Sequence, residues 1–360
     1  MKIGILTFHS AHNYGAVIQC YGLQQYLTSL GHQVFVIDYR PHYFDSYNPK
    51  KRKENQRKSL KLLVRNVLRD IVISRVERKR YAAFERFITH KLNLTPYTLG
   101  ADYSDFDAII LGSDQIWNPK ITGGYFDDEF FGYNAKCRII SYAASSRFTT
   151  LTEEQKIYLT SRLEKIDAVS VRESSLKDLL VPFTNKPIIN VIDPSLLPDV
   201  NEYNQLCAPV TEKKPYVLVY EIKRNLGTLR IANEIAKLLG LEVVELVACS
   251  SPRFYGKSFR MEAGPIDFLS YIKNAECVVT TSFHGMALSL KFQKNFYSLR
   301  QGTDADLRAE SLLSKLGLLS RFIPLDSSVT SYSQLDYSEI LPRLNEEIKF
   351  SKEFLIDALN

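Results

Sequence analysis

Cysteine is sparse and unpaired in pattern. The five thiols (Cys20, Cys137, Cys207, Cys249 and Cys277) are odd in number, and no two have zinc-ligand or redox spacing. This excludes a disulfide framework and fits buried thiols in a reducing compartment. Long apolar runs are also missing, and none approaches the roughly 18 residues that a membrane-spanning helix needs. The first residues, MKIGILTFHS, have one lysine, a short apolar run and no small-residue cleavage site. They read as a first strand and not as a signal peptide, so the expected location is the cytoplasm. The βαβ opening lacks G-x-G-x-x-G, so an ordinary dinucleotide fingerprint is absent. No cluster of metal-ligating residues stands out, so no metal is expected.

What is present suits a soluble α/β protein. At 360 residues, with 45% hydrophobic and 24% charged residues, the chain has material for two full cores. The net charge of +6 is unevenly spread. Residues 50–80 hold thirteen Lys or Arg against three Asp or Glu, a local +10 that leaves −4 for everything else. Within an insertion at about 50–95, apolar residues from Leu60 to Val72 recur at three and four, opposite a basic face. Such a helix can lie on an anionic membrane, or it can be an ordinary solvated face over a packed one. Confinement of the charge to one insertion, without a binding motif, argues against nucleic acid.

Strands and helices alternate throughout. IGILTF, Val34–Ile37, Phe106–Leu111, Arg138–Tyr142, Ala168–Val171 and Ile188–Ile192 read as strands whose carboxyl ends run into polar loops. After a proline-rich stretch the rhythm restarts at Tyr216–Tyr220. This gives a first domain over 1–195, a second over 215–330 and closing helices over 331–360. Each domain is expected to be a Rossmann-like parallel sheet covered on both faces, the two facing one another across a cleft. Ligands of such sheets sit at the carboxyl ends of the strands. The stretch VVTTSFHGMALSL, residues 278–290, reads as a strand end, a turn at Ser282-Phe283 and a helix opening at His284-Gly285. That helix start attracts an anion, Gly285 would let it approach the backbone, and His284 would change charge beside it. The alternative is a packed histidine at a strand end. Asn13, in the loop after the first strand, suits either a hydroxyl or a helix N-cap. Asp114 suits either a general base or a cap on its own turn. Trp117, the only tryptophan, lies in the same loop.

Six segments appear in order: FHSAHNYGAVIQCYGLQ, LGSDQIWNP, SYAASS, VSVRESS, VIDPSLL and TTSFHGMALSLKF. Together they resemble the polysaccharide pyruvyl transferase family. The resemblance implies a fold like that of two-Rossmann (GT-B) glycosyltransferases, with an acceptor-side first domain and a donor-side second one. It implies transfer of pyruvate from phosphoenolpyruvate to a sugar hydroxyl pair, without a cofactor, in exopolysaccharide or capsule synthesis. The family's donor pocket has an Arg-Leu-His tripeptide, which falls here on Ser282, Phe283 and His284, with serine in place of arginine. Its upstream arginine falls on Arg172. Fixed cations would hold the donor, with Arg300 as a third group. His284 would serve as acid or phosphate partner and Asp114 as the acceptor-side base, with Asn13 and Trp117 beside the sugar. By analogy the acceptor would be lipid-linked, at the inner face of the membrane, with residues 50–80 touching the lipid. A nucleotide-sugar glycosyltransferase of the same architecture, or a non-catalytic scaffold of the polysaccharide machinery, fits the same fold.

Overall fold

Parallel strands covered on both faces need unbroken apolar runs, because neither side of the pleat meets water. A computed structural model of the chain describes residues 1–47, 67–212, 214–247 and 258–360, the side chains of 67–74 excepted. The first such runs are β1 (Lys2–Leu6), β2 (Gln33–Ile37), β3 (Leu94–Thr95), β4 (Ala108–Leu111), β5 (Arg138–Ala144), β6 (Ala168–Val171) and β7 (Ile188–Asn190). They form one parallel sheet in the order β3-β2-β1-β4-β5-β6-β7. In β4 all four residues are buried. Its register on β1 sets Ile3 against Ala108 and Leu6 against Leu111.

The second sheet uses β8 (Tyr216–Glu221), β9 (Glu242–Val247), β10 (Phe259–Arg260), β11 (Cys277–Thr280), β12 (Asn295–Arg300) and β13 (Phe322–Pro324). Its order is β10-β9-β8-β11-β12-β13. Both sheets therefore reverse direction once, between β1 and β4 and between β8 and β11. This is the expected pair of Rossmann-like sheets, and each switch point opens a crevice at the strand carboxyl ends.

Helices α1 (Tyr14–Ser29), α2 (Val67–Lys91), α3 (Glu153–Leu163) and α4 (Ser174–Leu180) belong to the first half, and α5 (Val200–Leu206) lies in the stretch that leads to the second. Helices α6 (Leu226–Leu239), α7 (Pro265–Asn274), α8 (Phe283–Lys291) and α9 (Leu307–Leu316) cover the second sheet. Their ends follow local chemistry. Thr152 and Gln155 close both halves of a capping box at α3. Gly240 ends α6 with φ at 67°, a conformation that costs glycine nothing. The last helix, α10 (Tyr337–Leu359), returns to the first sheet, where Ser351 accepts from the Ile192 amide at 3.0 Å.

One apolar cluster joins the two halves at the base of the cleft. Tyr14 on α1, fully buried, stacks on Phe268 of α7 at 4.7 Å, and its hydroxyl donates to the Ala263 carbonyl at 2.8 Å. The end of the basic insertion belongs to this core. Phe84, Phe87 and Ile88 of α2 are buried, and Lys79 pairs with Glu262 across the halves. The membrane contact expected through 50–80 lies mostly outside the described residues. Among the described residues no helix is long and apolar enough to cross a membrane.

Glu221, at the tip of β8, offers a stability test. Its Oε1 accepts from the Asn225 amide at 2.7 Å, while the buried Oε2 has no partner among the described residues. Burial pushes its pKa from 4.5 up to about 7. The folded chain thus holds this proton more tightly than the unfolded one. The stabilisation is complete below about pH 4.5 and is lost as pH rises through about 7. Glu221→Gln is therefore expected to melt a few degrees above the wild type at pH 8, with the difference closing towards pH 4.5. Melting curves at both pH values check this, and an equal offset at the two would contradict it.

Candidate functional site

The two switch points meet at a cavity of about 360 Å³. Loops leaving β1, β4 and β5 bring Phe8, Asn13, Asp114 and Arg147 to it. Loops leaving β8, β11 and β12 bring Lys223, Ser282, His284, Gln301 and Thr303, and α9 adds Arg308. A larger hollow near Tyr216 and Glu242 lies at the amino ends of strands, where these sheets do not bind ligands. Its Arg260 is already paired with Glu212.

His284 stands in the first turn of α8, positioned by a turn that Thr280 fixes. The Thr280 hydroxyl donates to the Tyr220 carbonyl at 2.5 Å and accepts from the Ser282 amide at 3.0 Å. The imidazole is 5% exposed and crosses to the other half. Its Nε2 is buried without a hydrogen bond and faces Asp193 Oδ2 at 3.4 Å. It fits there because residue 15 is glycine, since a β-carbon on Gly15 would fall 2.0 Å from His284 Nδ1.

The structure brings Asn13, Asp114, Ser282 and His284 together around the cavity. Asn13 also caps α1, its Oδ1 accepting from the Gly15 amide at 3.0 Å. Asp114 has φ at 73°, and its Oδ1 accepts from the Gln115 amide at 2.9 Å.

Four candidates belong elsewhere. Trp117 is fully buried, stacked on Phe131 at 5.2 Å, and its indole N–H donates to the Phe130 carbonyl, so it is a core residue and not a sugar platform. Arg300 lies over the Phe322 ring at 4.7 Å and does not line the cavity. Gly285 faces the sheet, where a β-carbon would meet Thr280 Oγ1 at 2.5 Å, so its smallness serves helix–strand packing and not an anion. Arg172 lies behind the cavity and is consumed by buried acids. Its Nη1 donates to Asp193 Oδ2 at 2.5 Å, with Asp114 Oδ1 and Glu173 Oε1 at 3.6 and 3.7 Å.

The cations that do face the cavity were not singled out in the sequence. Arg147 follows SYAASS at the tip of β5, a place that the strand-end rule could have flagged. Arg308 lies inside a helix pattern and carries no such signal. Neither guanidinium makes a hydrogen bond or ion pair among the described residues, and both Nε atoms are buried and unpartnered. Burial, followed by the repulsion of Arg172 and Arg147, pulls Arg308 down to about 10. Burial lowers Arg147 as well. Against Arg147, Lys223 and Arg308, only Asp114 supplies a carboxylate to the cavity wall. Asp114 and Glu173 act on both arginines, and Asp304 on Arg147, without closing an ion pair among the described residues, which leaves the cavity a positive wall that suits a small anion.

Several solved structures align with most of the chain at low identity. The UDP-GlcNAc 2-epimerase of Neisseria meningitidis is 10% identical, aligned over 99% of this chain and 94% of its own, with a TM-score of 0.49. The glycosyltransferase SsfS6 of Streptomyces sp. SF2575 is 14% identical over 99% of both chains, with a TM-score of 0.42. The glycosyltransferase SnogD of Streptomyces nogalater is 11% identical over 99% of both, with a TM-score of 0.44. No curated protein sequence matches the chain. The sequence profile described as polysaccharide pyruvyl transferase matches residues 13–302, from the cap of α1 to the loop after β12, and the chain accordingly belongs to the polysaccharide pyruvyl transferase family.

Proposed function

We propose that this chain moves the pyruvyl group of phosphoenolpyruvate onto two hydroxyls of a sugar, closing a ketal, in exopolysaccharide or capsule synthesis. The observation that carries the reading is that buried Arg308 and half-buried Arg147, neither with a hydrogen bond or ion pair among the described residues, line the same cavity as His284. Phosphoenolpyruvate carries a phosphate and a carboxylate on three carbons, a match in size and charge for two planar donor forks. His284 would protonate the methylene carbon, leaving an oxocarbenium-like centre at the carbon that bears the phosphate ester. A sugar hydroxyl adds there and gives its proton to Asp114. The carbon–oxygen bond to phosphate then breaks, a second hydroxyl closes the ketal, and its proton leaves with the phosphate. Acid and base thus come from opposite halves of the molecule, which suits a donor held by one and an acceptor held by the other.

Thermal shift separates this reading from a nucleotide-sugar glycosyltransferase. Phosphoenolpyruvate is expected to raise the melting temperature and UDP to leave it unchanged. Arg147→Ala and Arg308→Ala are each expected to weaken phosphoenolpyruvate binding about 10- to 100-fold, the worth of a charge-assisted hydrogen bond. Stabilisation by UDP with none by phosphoenolpyruvate would reverse the conclusion.

A further inference from the structure

A second, smaller hollow of about 130 Å³ opens beside the interdomain cavity, walled by Ser10, His12, Phe44, Tyr47, Tyr81 and Glu85. Phe44 and Tyr47 line both spaces, so the two are neighbours across these rings. The hollow is rigid where it is described. His12 is stacked on Phe84 at 5.0 Å and 12°, with the Tyr81 and Tyr47 rings at 4.7 and 6.2 Å from it. Glu85 is fixed from two sides, by His12 Nε2 at 2.8 Å and by Arg40 Nη1 at 3.1 Å. Arg40 in turn donates to Asp38 at 2.7 Å. Ser10 is 8% exposed and faces the hollow, and its buried Oγ has no partner among the described residues.

These features describe a ligand. A buried hydroxyl without a partner asks for one from the occupant. Aromatic faces ask for C–H faces, and an oriented carboxylate asks for hydroxyl donors. Among the described residues of the wall the one cation, Arg40, is already paired with Asp38 and Glu85, which disfavours a phosphate here, in contrast to the main cavity. The hollow is open and about a third the size of the main cavity, so it takes one ring at most. The geometry points to a subsite for the sugar residue next to the one that reacts, so that the acceptor is a disaccharide or longer. This rests on the transferase reading above.

The test uses the full chain with phosphoenolpyruvate and pairs of p-nitrophenyl glycosides, each monosaccharide matched with disaccharides that extend it, followed by phosphate release. For the used pair, the disaccharide is expected to exceed its monosaccharide in kcat/KM by about tenfold or more, as one stacked ring supplies. Tyr81→Ala and Ser10→Val are each expected to cut that ratio about tenfold. Ser10→Val fills the hollow without removing a ring, so it decides the matter should Tyr81→Ala fail to fold. A wild-type ratio near one, or a ratio that the variants leave unmoved, overturns the subsite and leaves the transferase reading standing. No phosphate release with any glycoside removes both.

Discussion

Gly15→Ala is expected to lower pyruvyl transfer by about a hundredfold while leaving the protein folded. The added β-carbon would lie 2.0 Å from His284 Nδ1, 2.3 Å from Cγ and 2.6 Å from Cε1. None of these distances is tolerable, so either the imidazole or the helix must shift. Asp193 stands 3.4 Å from its other nitrogen, and the Phe283 ring meets it edge-on at 5.3 Å. Either the ring moves by an ångström or α1 and α8 separate, and both would spoil the acid that the proposed mechanism places at His284. A misplacement of about 1 Å is worth roughly 10²-fold in rate. Helix stability pulls the other way, since alanine is a better helix residue than glycine by about 1 kcal/mol. Loss of rate with an unchanged melting temperature therefore isolates the effect on His284. Phosphate-release kinetics check it, with the imidazole NMR signals of His284 as a companion. Full activity in a folded variant would mean that the histidine is not used where it stands.

The architecture was legible because parallel strands announce themselves. The strand expected at Ala168–Val171 has those bounds in the fold, and the rule that ligands gather at strand tips leads to Asn13, Asp114, Ser282 and His284, which line the cavity. Which arginine faces the ligand was not legible. Arg172 and Arg147 both follow strand ends, but Arg172 is claimed by Asp193, 21 positions away, and only the folded chain shows that debt. Arg308 reaches the cavity from α9, where a helical pattern hides it. The glycines make the same point. The sequence places Gly285 beside the ligand, since it follows His284. In three dimensions Gly285 packs on Thr280, and the close approach falls to Gly15, which comes from the other sheet's first helix. Local pattern sets the element, whereas contacts across the halves set the role.

Asp193→Asn carries the largest expected cost in stability, about 3–5 kcal/mol. Asp193 is fully buried and binds on several sides. Its Oδ1 accepts from the Ser195 amide at 2.9 Å, and its Oδ2 accepts from Arg172 Nη1 at 2.5 Å and from Ser113 Oγ at 3.4 Å. Burial by itself would raise its pKa, but His284 and Arg172 outweigh this and hold the carboxyl well below the usual carboxylate range. Asparagine keeps the shape and one acceptor but removes the charge, which leaves Arg172 buried with the Ser145 hydroxyl at 2.9 Å and, as carboxylates, only the longer contacts to Asp114 and Glu173. The pH dependence follows from the sign of the shift. A carboxyl with a depressed folded pKa stabilises the protein above its unfolded pKa, and the gain is lost as pH falls through the folded one. Urea unfolding is therefore expected to give a constant gap between wild type and variant from about pH 8 to 5, narrowing only below the unfolded value of about 4. A gap that changes across the neutral range would contradict the assignment to the Asp193 carboxylate. A gap near zero would mean that Arg172 is satisfied without Asp193. The same variant removes the carboxylate that faces His284, so its transfer rate, measured on the fraction that stays folded, reports whether the imidazole needs that charge behind it.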